Sequence, residues 1–493
     1  MLILKLKIRK GESEIYPKKD NVKYERIFEE LSQNGVGINI REINKELKNF
    51  FVLYISQLSD HNALSEYIIK PIIQSRREEI NINEIYKSII LVHDLKKDNN
   101  ENLIIDYVLK GFSVIINPME EEYIVCNTKE IQKRAIESPQ LQDGLRVPKD
   151  SFTENMDTNL SLIRYRIKDS NLRIKHFEIG IRTKTSVSLI YLQDVANDKI
   201  IEITEKKLNS IEVDGVLEGG YLQKFFKNKD LEFFPQTSLA ERSDKASASI
   251  LTGAACVLVE GSGLALIIPS TIGAFIDSGD DHYEPYYISV FNKLLRIGCI
   301  MLTLTAAPLY VAIVAYNSDV IPFKYILTLS YSRNFVPVNA FLEAFIMEII
   351  SKILVESSIR FPKKIGPAIG IVGAIVIGQA AVSAGLVSPL MVIIVALSTM
   401  ASFVVPDYSL MDSINLLKFI ILIITGMLGL YGFIIACSFI ILALVSHNNF
   451  SIPYGSPFAP FNWIDFKDFF LSSIKMDKYR RLYIKPKNKR RTK

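Results

Sequence analysis

The run from Ile365 to Pro406 reads IGPAIGIVGAIVIGQAAVSAGLVSPLMVIIVALSTMASFVVP and contains no charged residue. A helix needs about 20 apolar residues to cross roughly 30 Å of hydrocarbon. The run holds two such lengths, with a break at Gly385 to Pro389. Its first half is dense in small residues. Gly366 and Gly370 are four apart, as are Ala374 and Gly378, and this spacing lets helices approach closely in lipid. Ala368, Val372, Ile375, Gln379 and Ser383 fall on one helix face. Such a stripe suits the lining of a narrow pore, where apolar constrictions gate by dewetting. It equally suits a packed bundle in which Gln379 hydrogen-bonds a neighbouring helix.

Outward from this run the chain changes character at about residue 285. Charge is concentrated before it and apolar residues after it, and the mean hydropathy of +0.20 is high for a soluble protein. The expected fold is an α/β N-terminal region of two related subdomains, followed by an all-α polytopic membrane domain. Four spans are expected, the first over 297–316, two within 365–406 and the last over 419–445. Between them Val338 to Ser358 is apolar but carries Glu343, Glu348, Lys352 and Glu356. Three of these recur at i+4, so they are expected to pair along one face of a helix lying in the membrane interface. Glu343 and Glu348 are candidate pore-mouth or interface charges. Lys293 and Arg296 precede the first span, and Lys478 to Lys493 holds nine basic residues and no acidic one. Both features place the flanking segments on the cytoplasmic side, near anionic lipid headgroups.

The expected domains are a charged lead-in (1–35), a first α/β subdomain (36–138), a second (139–285), the membrane helices (286–450) and a C-terminal segment with the basic tail (451–493). Phe50 to Ser56 reads as a buried strand and 60–73 as a helix with Asp60 at its N-cap. Two more helices are expected near 83–95 and 100–110, then a hairpin over 111–126. The second subdomain repeats this order, with a strand at 187–192, a helix at 194–211 and a hairpin at 254–268. An arm, 148–173, links the two. Gly261-Ser-Gly263 lacks the lysine and following helix of a phosphate loop and reads as the hairpin turn.

No catalytic constellation, metal-ligand spacing or cofactor motif is present, so the expectation is a non-enzyme without cofactors. The four cysteines are scattered, which argues against a disulfide framework. Nothing points to nucleic acid.

Several motifs resemble those of the GerA spore germination family, in particular the A subunits of nutrient germinant receptors. They are LIRYRIKDSNLRI (162–174), DGVLEGGYLQ (214–223), FPQ (234–236), ERSDKASASILTG (241–253), VLVEGSG (257–263), IGQAAVSAGLVSPLMVIIVALSTMASFVVPDYS (377–409) and PYGSPFAPF (453–461). Ser243 and Gly263 stand where the family pattern has proline. The resemblance implies a protein of the spore inner membrane, with its N-terminal domain and C-terminus facing the core. It implies a transporter-like B subunit and a lipoprotein C subunit as partners. It also implies a homo-oligomer acting as a ligand-gated cation-release channel, which favours the pore-lining reading of 366–383. A non-conducting scaffold subunit is the alternative, and a solute transporter a more distant one.

Overall fold

The computed structural model describes residues 37–45, 48–75, 80–130, 148–227, 232–334, 336–360, 376–471 and 480–490. The chain divides into two compact units, one holding most of the α/β region and the other residues 268–493 with two short earlier pieces.

The α/β region contains two five-stranded sheets built on one plan. The first has the order β1 (Asn39–Lys45), β2 (Lys48–Tyr54), β4 (Ser113–Ile116), β5 (Tyr123–Cys126), β3 (Leu95–Asp98). The second has the order β6 (Leu172–Ile179), β7 (Thr185–Leu192), β9 (Ala255–Val259), β10 (Ala265–Ile268), β8 (Ser238–Ala240). Helices fall at the same two points of each plan, between the second and third strands and between the third and fourth. Two related subdomains are therefore present.

Side-chain alternation along β2 explains why the first sheet is covered twice. Phe50 and Val52 face Leu64, Ile68, Ile72, Ile82 and Ile85 on one side. Leu53 faces the other side, towards Ile104 and Val108 of the Asn102–Leu109 helix. Buried strands of this kind read as continuous apolar runs. Asp60 caps the following helix by accepting from the N–H groups of Asn62 (2.8 Å) and Ala63 (3.0 Å).

Three local expectations are corrected. The helix at 83–95 ends by Ile89, and β3 follows as an edge strand paired with β5. The helix expected from Asp194 starts at Asp198, where the Asn197 side chain accepts from Lys199 N–H at 3.1 Å. The linking arm contains the Met156–Arg166 helix, whose Leu160, Leu162 and Ile163 enter the core of the second sheet. Few apolar residues mark that helix in sequence, because buried Asn159, Ser161 and Arg164 share its inner surface.

Among the described residues of the second unit two helices are long and apolar enough to cross a membrane, Tyr286–Tyr316 and Tyr408–Ser446. The expected third span forms a helix of 14 residues, Pro389–Ser402, about 21 Å long. The break before it has a clear cause. Gly385 (φ +68°) ends the 376–383 helix in a Schellman motif, with Gly385 N–H donating to Val382 O and Leu386 N–H to Ala381 O, both at 3.0 Å. Ser388 then caps the next helix and Pro389 opens it.

The Tyr408–Ser446 helix is itself broken at Gly429, where φ is 65° and ψ is −143°. A Cβ there would lie 2.8 Å from the Tyr316 ring, and the Tyr316 hydroxyl donates to Gly426 O. Gly429→Ala is expected to cost about 1–3 kcal/mol through backbone strain and this collision. The measurement is the melting temperature of the detergent-solubilised protein. The control is Gly298→Ala, whose Cβ meets nothing within 4 Å. Equal melting of the two variants would show that the break is not held by this contact.

Candidate functional site

The helix expected to lie in the membrane interface is instead a bundle member with Glu343 and Glu348 turned inside, while Lys352 and Glu356 stay towards the surface. Ala340–Arg360 spans 21 residues, about 31 Å. Glu343 and Glu348 are 0% and 1% exposed. Apolar Leu342, Ile346, Ile349 and Ile353 of the same helix face outward. This inverts the amphipathic pattern of a water-soluble helix, and ionisable side chains inside such a bundle are functional candidates.

The two glutamates anchor a buried polar seam that runs about 14 Å from Glu343 to Lys352. At one end Glu343 Oε1 accepts from both the backbone N–H and the hydroxyl of Ser388, each at 2.6 Å. Ser388 is the N-cap of the Pro389–Ser402 helix, so the carboxylate sits where the orphan N–H groups and the positive end of the helix dipole lie. Arg333 Nη2 stands 3.5 Å from Glu343 Oε2. Tyr310 Oη is 3.4 Å from Ser388 Oγ.

In the middle Lys418 Nζ meets Glu348 Oε2 at 2.6 Å, with the two side chains 5% and 1% exposed. Lys418 also reaches Ser398 Oγ at 3.5 Å. Ser398 and Thr303 cross-brace their helices, each hydroxyl donating to the other's backbone carbonyl at 3.3 Å. Ser351 Oγ and Thr399 Oγ1 are 2.7 Å apart. Glu348, Lys418, Asn415, Ser402 and Thr399 line a cavity of about 20 Å³, room for one water. At the far end Lys352 pairs with Asp412 at 3.1 Å where both are well exposed. The expected pairing of Glu348 with Lys352 is thus replaced by two bonds to the Tyr408–Ser446 helix. A buried carboxylate needs a partner that also points inward, and Lys352 reaches towards the surface.

The other residues singled out from the sequence are placed as follows. Ala368, Val372, Ile375, Gly366, Gly370 and Ala374 lie outside the described residues. Gln379 and Ser383 are exposed on the 376–383 helix. Gly378 is buried, and a Cβ there would come within 3.2 Å of Val392 Cγ1. Lys418, Ser398 and Thr303 were not singled out; the signal for Lys418 was one lysine in an otherwise apolar run.

A second charged cluster sits at the start of the first long helix. Asp277 binds Lys293 (2.9 Å), His282 (2.9 Å) and Arg481 (3.1 Å). Arg296 pairs with Asp281. The basic residues flanking the first expected span are therefore neutralised by acids just upstream. Burial alone would raise the Asp277 carboxyl, but His282, Lys293 and Arg481 hold it well below the usual carboxylate range.

Comparison with known proteins is consistent across most of the chain. The family model described as Bacillus/Clostridium GerA spore germination protein matches residues 25–482. Spore germination protein KA of Bacillus subtilis is 33% identical over 434 residues, covering 87% of this chain and 80% of that protein. Spore germination protein GerLA of Bacillus cereus is 32% identical, covering 89% of each chain. The crystal structure of the N-terminal domain of the A subunit of the Bacillus megaterium spore germinant receptor GerK3 matches with 25% identity and a TM-score of 0.39, over 49% of this chain and 91% of that one. The chain belongs to the GerA spore germination family.

Proposed function

We propose that this chain is the A subunit of a nutrient germinant receptor in the spore inner membrane. Several copies assemble as a ligand-gated channel that releases cations, together with a transporter-like B subunit and a lipoprotein C subunit. Membrane lipid surrounds the helices, and the N-terminal region and C-terminus face the spore core. The protein acts by binding and gating, with no catalysis or cofactor. The observation that carries this reading is the orientation of the 376–383 helix. Gly378 packs inward, while Gln379 and Ser383, four residues apart, turn a polar edge outward. A polar edge on an apolar helix needs water or another subunit beside it. In a ring of copies it lines the axis, continued by Ala368, Val372 and Ile375, with Gly366, Gly370 and Ala374 on packing faces.

The scaffold reading has one observation in its favour. Glu343 and Glu348 are sealed by partners inside one chain, and the cavity beside Glu348 has room for a single water only. A lone subunit interior of this kind does not conduct.

The deciding experiment is nutrient-triggered potassium release from spores carrying the complete receptor, with Val372→Ala and Gln379→Leu compared with wild type at matched abundance. Nutrient-independent release in one variant and severalfold altered release in the other are expected. Unchanged release in both would assign the helix to packing and put the scaffold reading ahead.

A further inference from the structure

A second, unrelated cavity opens to the surface of the α/β unit, where Lys110, Lys129, Tyr165 and Lys168 are exposed. It measures about 70 Å³, with a floor of Leu58, Leu109 and Gly111 and a rim of Lys110, Lys129 and Lys168. Among the described residues its other lining residue is Tyr165, so their lining contains three cations and no carboxylate. Lys110 and Lys129 come from the first subdomain, while Tyr165 and Lys168 come from the second.

Lys129 and Lys168 are held in place. Lys129 Nζ lies 3.8 Å from the centre of the Phe112 ring, and Lys168 Nζ 5.2 Å from that of Tyr165. The backbone on both sides of Lys129 is pinned to the 58–60 segment, with Asp60 N–H donating to Thr128 O (2.8 Å) and Glu130 N–H to Leu58 O (3.0 Å). Gly111 has φ +86°, and a Cβ there would sit 3.2 Å from Lys129 Cγ, so glycine admits the lysine stem to the cavity wall. The Lys129 ammonium is lowered from its ordinary value by burial and then by Lys168 and Lys110; Asp94 opposes this. The Asp94 carboxylate is already engaged, accepting from Asn127 Nδ2 at 3.0 Å.

Three like charges facing one cavity repel one another until a counter-charge enters. We infer that this cavity binds a small oxyanion, a phosphate or carboxylate group, clamped between Lys110 and Lys129 of the first subdomain and Lys168 of the second. The ammonium groups supply charge-assisted hydrogen bonds from two sides, and the apolar floor limits the ligand to a small head. Occupancy ties the two sheets together, which makes the site a point where an anion can bias the soluble region.

The test is calorimetric titration of the full-length detergent-solubilised protein with inorganic phosphate, and separately with acetate, at low ionic strength. Wild type is expected to bind at least one of them saturably. Lys129→Gln/Lys168→Gln is expected to bind at least tenfold more weakly, while melting at the same temperature or higher without ligand. Phosphate is expected to raise the melting temperature of wild type and not of the variant. Stronger phosphate binding assigns a phosphoryl ligand, and equal binding of acetate a carboxylate. The inference is overturned if neither anion binds wild type, or if the double variant binds as wild type does.

Discussion

Lys418→Met is expected to destabilise the helix bundle by about 3–5 kcal/mol, lowering the melting temperature by on the order of 10 °C. The reason is the carboxylate left behind. Glu348 is 1% exposed and its Oε2 has Lys418 at 2.6 Å as its ion partner. With the ammonium gone, the charge sits among Val355, Phe419, Asn415 and a few hydroxyls, and the other cation of this lining, Lys352, is paired with Asp412. The Glu348 carboxylate then takes up a proton or draws water in, and either response loosens the packing. The pair itself need not be strongly stabilising, because bringing two ions out of water has its own cost. That asymmetry gives the decisive comparison. Glu348→Gln/Lys418→Met removes both charges and is expected to recover more than half of the loss. Melting of the purified variants, with abundance in the membrane as a second readout, checks both statements. A Lys418→Met protein as stable as wild type would show that Glu348 is reached by water. A double variant as unstable as the single one would assign the loss to the lysine stem rather than the charge.

Much of the fold was legible in the sequence. Strands β2, β4, β5, β7, β9 and β10 announce themselves as short runs of β-branched and aromatic residues bounded by turn signals. The repeated order of these runs reports the duplicated sheet plan. Gly385, Ser388 and Pro389 mark a helix end and a helix start by their backbone chemistry alone. What was not legible depends on partners distant in sequence. In sequence Glu343 and Glu348 read as pore-mouth or interface charges, because charge on a helix normally faces water. In the structure Lys418, Arg333 and Ser388 turn them inward. The Gly429 break hides in a glycine-containing apolar run, because the Tyr316 ring that a Cβ there would meet comes from another helix. The edge strand β3, sequence LKKD, has almost no strand signal of its own and exists because β5 offers it a free edge.

The same asymmetry governs the largest effect expected outside the bundle. Asp277→Ala is expected to cost about 3–5 kcal/mol at neutral pH. It removes the carboxylate shared by His282, Lys293 and Arg481. Lys293 is the critical one, because its side chain is fully buried. It also meets the Phe469 carbonyl and ring, the ring centre at 4.7 Å, and neither of these carries a negative charge. Arg481 retains Asp468 at 3.5 Å, so the C-terminal segment is loosened rather than released. The pH dependence fixes the assignment. The Asp277 carboxyl is held well below its ordinary value in the folded protein, despite a burial effect in the opposite direction. A depressed carboxyl contributes stability that is present above its unfolded value, about 4, and is lost as pH falls through the folded value. Wild type should therefore lose stability on acidification below about pH 4. Asp277→Asn keeps the shape without the charge. It should be weaker at neutral pH, with a flatter acid limb, so that the two curves converge as the pH falls. Melting temperature against pH for the two proteins reads this directly. Parallel curves would mean that the charge on Asp277 is not what holds Lys293 and Arg481, and that the loss comes from packing around the start of the Tyr286–Val311 helix.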